Sequence, residues 1–201
     1  MKLSPGPLVI ATHNRGKFDE FRALLAPRGF EVTCNADHNL PEPDETETTF
    51  QGNALIKARA AAQALGVPAL SDDSGMVVEC LGGAPGVHTA DWAETPSGRD
   101  FPMAMERVWR EIGESGSNPP FRAEFVCVLA LVWPDGGERI FEGRMPGQII
   151  WPRRGEQGHG FDPIFQPDGF ELTFGEMDPA QKNEISHRGR AVQAFLSDGV
   201  A

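Results

Sequence analysis

Two long segments with the look of strands, residues 121–133 and 138–150, flank the tetrapeptide Pro134-Asp135-Gly136-Gly137. Pro, Asp and Gly in so short a gap are turn formers, and β-type runs on both sides predict a hairpin. A chain committed to that hairpin has to build a sheet. Helical periods alternate with short strands elsewhere. Residues 7–12 (PLVIAT) predict a buried first strand and 17–25 a helix presenting Phe18, Phe21, Leu24 and Leu25 on one face. A second strand is expected at 30–33 and a proline-bearing acidic loop at 39–49. An alanine-rich helix at 50–65 is stopped by Gly66 and Pro68. Residues 69–80 read as two extended pieces around a polar turn, 99–112 as a helix, 155–169 as a Gly- and Pro-rich loop, and 181–195 as a last helix. This order predicts an α/β fold whose sheet is not purely parallel.

Composition narrows the function. With 29 acidic and 18 basic residues the net charge is -11, which argues against a duplex nucleic-acid binder. A phosphorylated small molecule stays possible, because a metal and a few local cations offset the field. Only Lys2, Lys17, Lys57 and Lys182 are lysines, so the place of each is informative. Cys34, Cys80 and Cys127 are odd in number and without metal spacing, which suits buried thiols. The N-terminal run is no signal peptide, and the longest apolar stretch, 125–133, is far short of the about 20 residues that span a bilayer. A soluble, cytoplasmic protein is expected.

Four loops carry candidate chemistry. Thr12-His13-Asn14-Arg15-Gly16-Lys17, at the start of the first helix, suits an anion, since backbone N–H groups and Lys17 point positive charge there. It is not a Walker A loop, because Ala11 and Phe18 occupy positions that motif reserves for Gly and Ser/Thr. Ser71-Asp72-Asp73-Ser74-Gly75 could bind Mg²⁺ or take a proton from water; a self-bonded Asx turn is the plainer alternative. The acidic loop with Glu42, Asp44, Glu45 and Glu47 could supply one further carboxylate, though most of it reads as a solvated face. Gly158-His159-Gly160-Phe161-Asp162 lets backbone approach a ligand beside an aromatic ring and a carboxylate, and Lys182 with His187, Arg188 and Arg190 suits phosphate or a purine edge.

Taken together, ATHNRGK, ETTFQGNALIKARAAA, LSDDSGMVVECLGGAPGVHTADWA, PRRGEQGHGFDPIFQPDG and TFGEMDPAQKNEISHRGRA resemble the inosine triphosphate pyrophosphatase family, in that family's order and over nearly the whole chain. The resemblance implies one 1–201 domain: an elongated central mixed β-sheet with flanking helices, in two lobes around a deep nucleotide-binding cleft, and a homodimer. It implies Mg²⁺-dependent hydrolysis of non-standard purine triphosphates (ITP, dITP, XTP) to the monophosphate and pyrophosphate, cleansing the nucleotide pool. Thr12 to Lys17 match the phosphate loop, Asp73 the metal-binding proton acceptor, Ser74 a substrate contact, and His159, Gly160, Phe161, Asp162, Lys182, His187 and Arg188 nucleotide-binding positions. Asp44 is the choice for second metal ligand, with Glu42 and Glu45 as alternatives. This chain departs from the family in carrying His159 where Phe is usual, Phe161 for Tyr or Trp, and His13 in the first loop. Rival readings are a pyrophosphatase of the related septum-formation inhibitor family and a non-catalytic nucleotide sensor; the SHRGRA segment opposes the first, and the Asp72, Asp73, Lys17 and Lys182 set opposes the second.

Overall fold

The computed structural model describes residues 2–201. In chain order the elements are β1 (Pro7–Ile10), α1 (Arg15–Leu25), β2 (Glu31–Cys34), α2 (Phe50–Leu65), β3 (Ala69–Val78), β4 (Glu94–Thr95), β5 (Gly98–Arg99), α3 (Phe101–Glu114), β6 (Phe121–Val132), β7 (Glu138–Ile149), β8 (Phe165–Pro167), α4 (Pro179–Ile185) and α5 (His187–Ala194). Six strands hydrogen-bond in the order β2-β1-β3-β6-β7-β8, while β4 and β5 form a separate pair. β1 runs parallel to both β2 and β3, and β7 antiparallel to β8, so the sheet is mixed. The hairpin forms as expected: β6 and β7 are neighbours, and Trp133 N–H donates to Gly137 O at 2.8 Å across the turn.

The chain divides into two compact units, the first made of residues up to Asp73 with Val128–Glu142 and Ala191–Ala201, the second of Ser74–Cys127 and Gly143–Arg190. In the first, Leu8, Val9 and Ile10 are all buried, the continuous apolar pattern of a parallel strand covered on both faces. α1 buries Phe18, Phe21 and Leu25. α2 buries Ala54, Ala58, Ala61 and Ala62, whose small side chains let a helix lie close against strands. Asn14 caps α1 by accepting from Lys17 N–H, Thr49 caps α2 through Gly52 N–H, and Gly66 ends α2 at φ +66°. The path β1–α1–β2 steps to one side of β1, and β2–α2–β3 returns past it to the other. With right-handed crossovers, α1 and α2 therefore cover opposite faces, the topology that leaves a ligand-accepting switch point at the ends of β1 and β3.

The second unit has its own apolar cluster. Ala104, Met105, Val108 and Ile112 line one face of α3 and join Met76, Met145, Phe125, Phe161, Phe165 and Phe174. The rings of Phe125 and Phe165 meet at 4.5 Å, and Trp109 stacks on Trp151 at 5.7 Å. Such pairs add about 1 kcal/mol each beyond the area they bury.

The structure corrects three expectations. Residues 155–169 are not loop throughout, since Phe165–Pro167 pair with β7 as β8. Residues 69–80 hold no polar turn: β3 runs unbroken from Ala69 to Val78, because the side chains of Ser71, Asp72 and Asp73 each find a partner without bending the backbone. The last helix is two helices, parted at Ser186, which adopts φ -65° and ψ 160°. A Cβ on Gly189 would lie 1.9 Å from Asn183 O, so the break permits a contact that a continuous helix does not make. Among the described residues no helix is long and apolar enough to cross a membrane.

Candidate active site

β3 outruns its neighbour. Its pairing with β1 ends at Ile10 and Leu70, and Ala11 N–H donates to Leu70 O at 2.8 Å. Ser71, Asp72 and Asp73 thus stand just beyond the end of β1, beside the loop that opens α1. Strand side chains alternate in direction. Ser71 Oγ donates to Ala54 O of α2 at 2.5 Å, and Asp73 lies with Ser71 on the α2 side, 3.5 Å from Lys57 Nζ. Asp72 turns the other way, to Lys17 Nζ of α1 at 2.7 Å. The two adjacent carboxylates therefore serve different lysines on opposite faces of the sheet.

Lys57 is the residue that sequence reasoning did not single out, and Glu45 stood there only as an alternative to Asp44. Lys57 Nζ donates to Glu45 Oε1 at 2.6 Å while facing Asp73, so two carboxylates share one ammonium. Burial pulls the Lys57 pKa down, but Asp73, Asp72 and Glu45 outweigh it and the net shift is upward. Asp73 is pushed up to about 6, first by burial and then by the charges of Glu45 and Asp72, against the pull of Lys57 and Lys17. Its Oδ2 is buried with no hydrogen-bond partner. Asp44 is exposed, and among the described residues no ion pair or hydrogen bond engages it. The carboxylate that the acidic loop delivers beside Asp73 is Glu45.

The opening loop is held from within. Thr12 Oγ1 accepts from Asn14 N–H at 3.1 Å, and Asn14 Oδ1 from Lys17 N–H at 3.2 Å. His13 Nε2 donates to Leu40 O at 2.8 Å, with Nδ1 3.9 Å from Glu42, so the histidine that departs from the family pattern ties this loop to the acidic one. Arg15 is exposed, its guanidinium over the Phe18 ring. Gly16 sits where a Cβ would be 3.3 Å from Asn14 Oδ1.

In the second unit, Asp162 is 3% exposed and its carboxylate accepts from His159 N–H and from Lys182 Nζ. Gly158, at φ +78°, leaves no room for a Cβ, which would fall 2.1 Å from Asp162 Oδ2. Phe161 is 1% exposed and packs edge-on against Phe101 at 5.8 Å. Phe161 and Asp162 therefore hold this loop in place and offer no open face to a base; His159 is exposed on a cavity of about 460 Å³ lined also by Phe101, Met105, Arg153 and Glu156. At the α4–α5 break Ser186 Oγ accepts from Gly189 N–H at 3.1 Å. His187, 9% exposed, stacks on Phe125 at 4.8 Å, and Arg188 follows half-buried. Ser74, half-buried, opens this unit.

A sequence model of the Ham1 family matches residues 8–198. The chain belongs to that family. The protein of Ruegeria pomeroyi named dITP/XTP pyrophosphatase is 56% identical over 189 residues, covering 94% of this chain and 93% of its own. That of Gluconobacter oxydans, with the same name, is 53% identical over 98% of this chain and 92% of its own. Among solved structures, a HAM1 protein from Coxiella burnetii superposes with a TM-score of 0.89 at 34% identity, covering 95% of this chain and 96% of that one. The nucleoside-triphosphatase / dITP/XTP pyrophosphatase of Mycobacterium abscessus gives 0.80 at 35% identity, covering 94% and 98%. The α/β mixed sheet of this Ham1 chain agrees with both.

The Asp73 environment fits a divalent cation. An unpartnered buried carboxylate oxygen, a second carboxylate sharing its ammonium and a pKa raised by burial all mark a place where positive charge is wanted. Among the described residues no group of three or more His, Cys, Asp or Glu side chains is arranged to hold a metal. Two carboxylates suffice for Mg²⁺, which keeps water and substrate phosphate oxygens in its remaining positions.

Proposed function

We propose that this chain is a nucleoside triphosphate pyrophosphatase that hydrolyses ITP, dITP and XTP to the nucleoside monophosphate and pyrophosphate, clearing deaminated purines from the cytoplasmic precursor pool. The observation that carries the reading is the Asp73 carboxylate, buried, unpartnered at Oδ2 and raised to about 6 beside Lys57 and Glu45. In the metal-free protein that pKa leaves it ionised at mildly alkaline pH, open to a cation or to a proton. Asp73 takes a proton from water as the water oxygen bonds to phosphorus, and the α–β bridging oxygen departs with the pyrophosphate. Asp73 and Glu45 would hold Mg²⁺, which when bound neutralises charge on the triphosphate. Lys17 and the N–H groups that open α1 meet the phosphate oxygens, and Ser74 lies next to the base along the chain.

His159, Gly160, Lys182, His187 and Arg188 recognise the nucleoside, with Phe161 and Asp162 fixing their loop. Hypoxanthine and xanthine present an acceptor oxygen at the six-position, where adenine presents an amino donor. Arg188 or His187 donating there rejects adenine, because a donor would be left facing a donor. The active species is proposed to be a homodimer, which light scattering on the purified protein tests directly.

Pyrophosphate release from ITP, XTP, GTP and ATP, each with Mg²⁺ and with EDTA, tests the reading. Metal-dependent release from ITP and XTP far above GTP and ATP is expected. A folded protein that releases none, or that prefers ATP, overturns it.

A further inference from the structure

We propose that Asp72 is a positioning residue for Lys17, separate in role from Asp73 beside it. The inference rests on the reading of Lys17 as a group that meets the triphosphate. Adjacent strand residues cannot share a ligand on one face, and here Asp72 points to α1 while Asp73 points to α2. The Asp72 side chain is 3% exposed and that of Lys17 28%, so the carboxylate is an internal anchor and the ammonium it holds still reaches solvent. An ammonium has three N–H donors; one is committed to Asp72 Oδ2 at 2.7 Å, which leaves others for phosphate oxygens. Lys17 lies in the first turn of α1 on a four-carbon stem. Without the anchor that stem regains its rotamers, and the charge must be repositioned in every turnover.

A double-mutant cycle decides it. Asp72→Asn keeps the side-chain shape and is expected to lower kcat on ITP about ten-fold, the size set by the freed lysine's rotamer entropy, with KM moved less than about two-fold. In a Lys17→Gln background the same substitution should cost less than about two-fold in kcat, since the group it positions is gone. Asp72 also acts on Lys57 and Asp73 through its charge. That effect is present in both backgrounds, so the cycle removes it. Asp72→Ser, which keeps an acceptor without the charge, repeats the cycle should the Asn variant fail to fold, and thermal unfolding of each variant checks this. Equal losses in both backgrounds would overturn the proposal and make Asp72 a structural residue. A wild-type protein inactive on ITP and XTP would instead overturn the function on which it rests.

Discussion

Asp73→Asn should make the metal-free protein more stable while removing its activity. Burial raises the carboxyl pKa from 3.8 to about 6, so the folded protein holds that proton more tightly than the unfolded chain does. The resulting stability is complete below pH 3.8 and is lost as pH rises through about 6. Above that window the native state carries an ionised carboxylate at a cost of about 3 kcal/mol. The neutral amide of Asn carries no such cost, and Lys57 keeps Glu45 at 2.6 Å. At pH 8 in EDTA the variant should therefore be up to about 3 kcal/mol more stable than wild type, roughly 6–12 °C in Tm for a chain of this size. Near pH 5 about half of that difference should have gone. Thermal and urea unfolding at both pH values, with pyrophosphate release measured beside them, give the comparison. A variant no more stable than wild type at pH 8, or a gap that does not narrow toward pH 5, would refute the account of Asp73 as a buried charge kept for function.

Three further outcomes follow from the same geometry. Lys57→Met removes the ammonium shared by Glu45 and Asp73, and should cost about 3 kcal/mol in urea unfolding at pH 8 and less at pH 5, where Asp73 is protonated. Gly158→Ala would place a Cβ 2.1 Å from Asp162 Oδ2, at a φ of +78° that Ala resists, and should raise KM for ITP more than about ten-fold. The control is Gly113→Ala, where a Cβ meets nothing within 4 Å in the last turn of α3; it should raise stability by at most about 0.5 kcal/mol with unchanged kinetics. Ser71→Ala removes the buried hydroxyl that donates to Ala54 O and should cost about 1–2 kcal/mol in urea unfolding.

What the sequence displayed and what it hid have physical causes. The β6–β7 hairpin was legible because an apolar segment, an alternating one and the Pro-Asp-Gly-Gly turn between them agree at the local level. α2 was legible from alanine propensity and its Gly66 stop. The Ser71–Ser74 segment misled because four polar residues in a row are turn chemistry in isolation. In the fold, α1 and α2 supply Lys17, Lys57 and the Ala54 carbonyl, and tertiary partners override the local preference. The break at Ser186 carried a local sign, since Ser186 and Gly189 have the spacing of a helix cap, but the helical pattern on both sides masked it. Lys57 was hidden inside a helix whose composition explained itself, although its being one of four lysines was a usable clue. Glu45 could not be told from Asp44 by position in an extended acidic loop; only the reach of Lys57 separates them.

The most direct test of the central claim is product identity and selectivity together. dITP and dATP are incubated with the wild-type protein and Mg²⁺ at mildly alkaline pH, with Asp73→Asn in parallel, and the products are resolved. The account predicts dIMP and pyrophosphate from dITP, far slower turnover of dATP, and loss of turnover in the variant with nucleotide binding retained. Release of dIDP and phosphate, equal turnover of dATP, or an Asp73→Asn protein as active as wild type would contradict it.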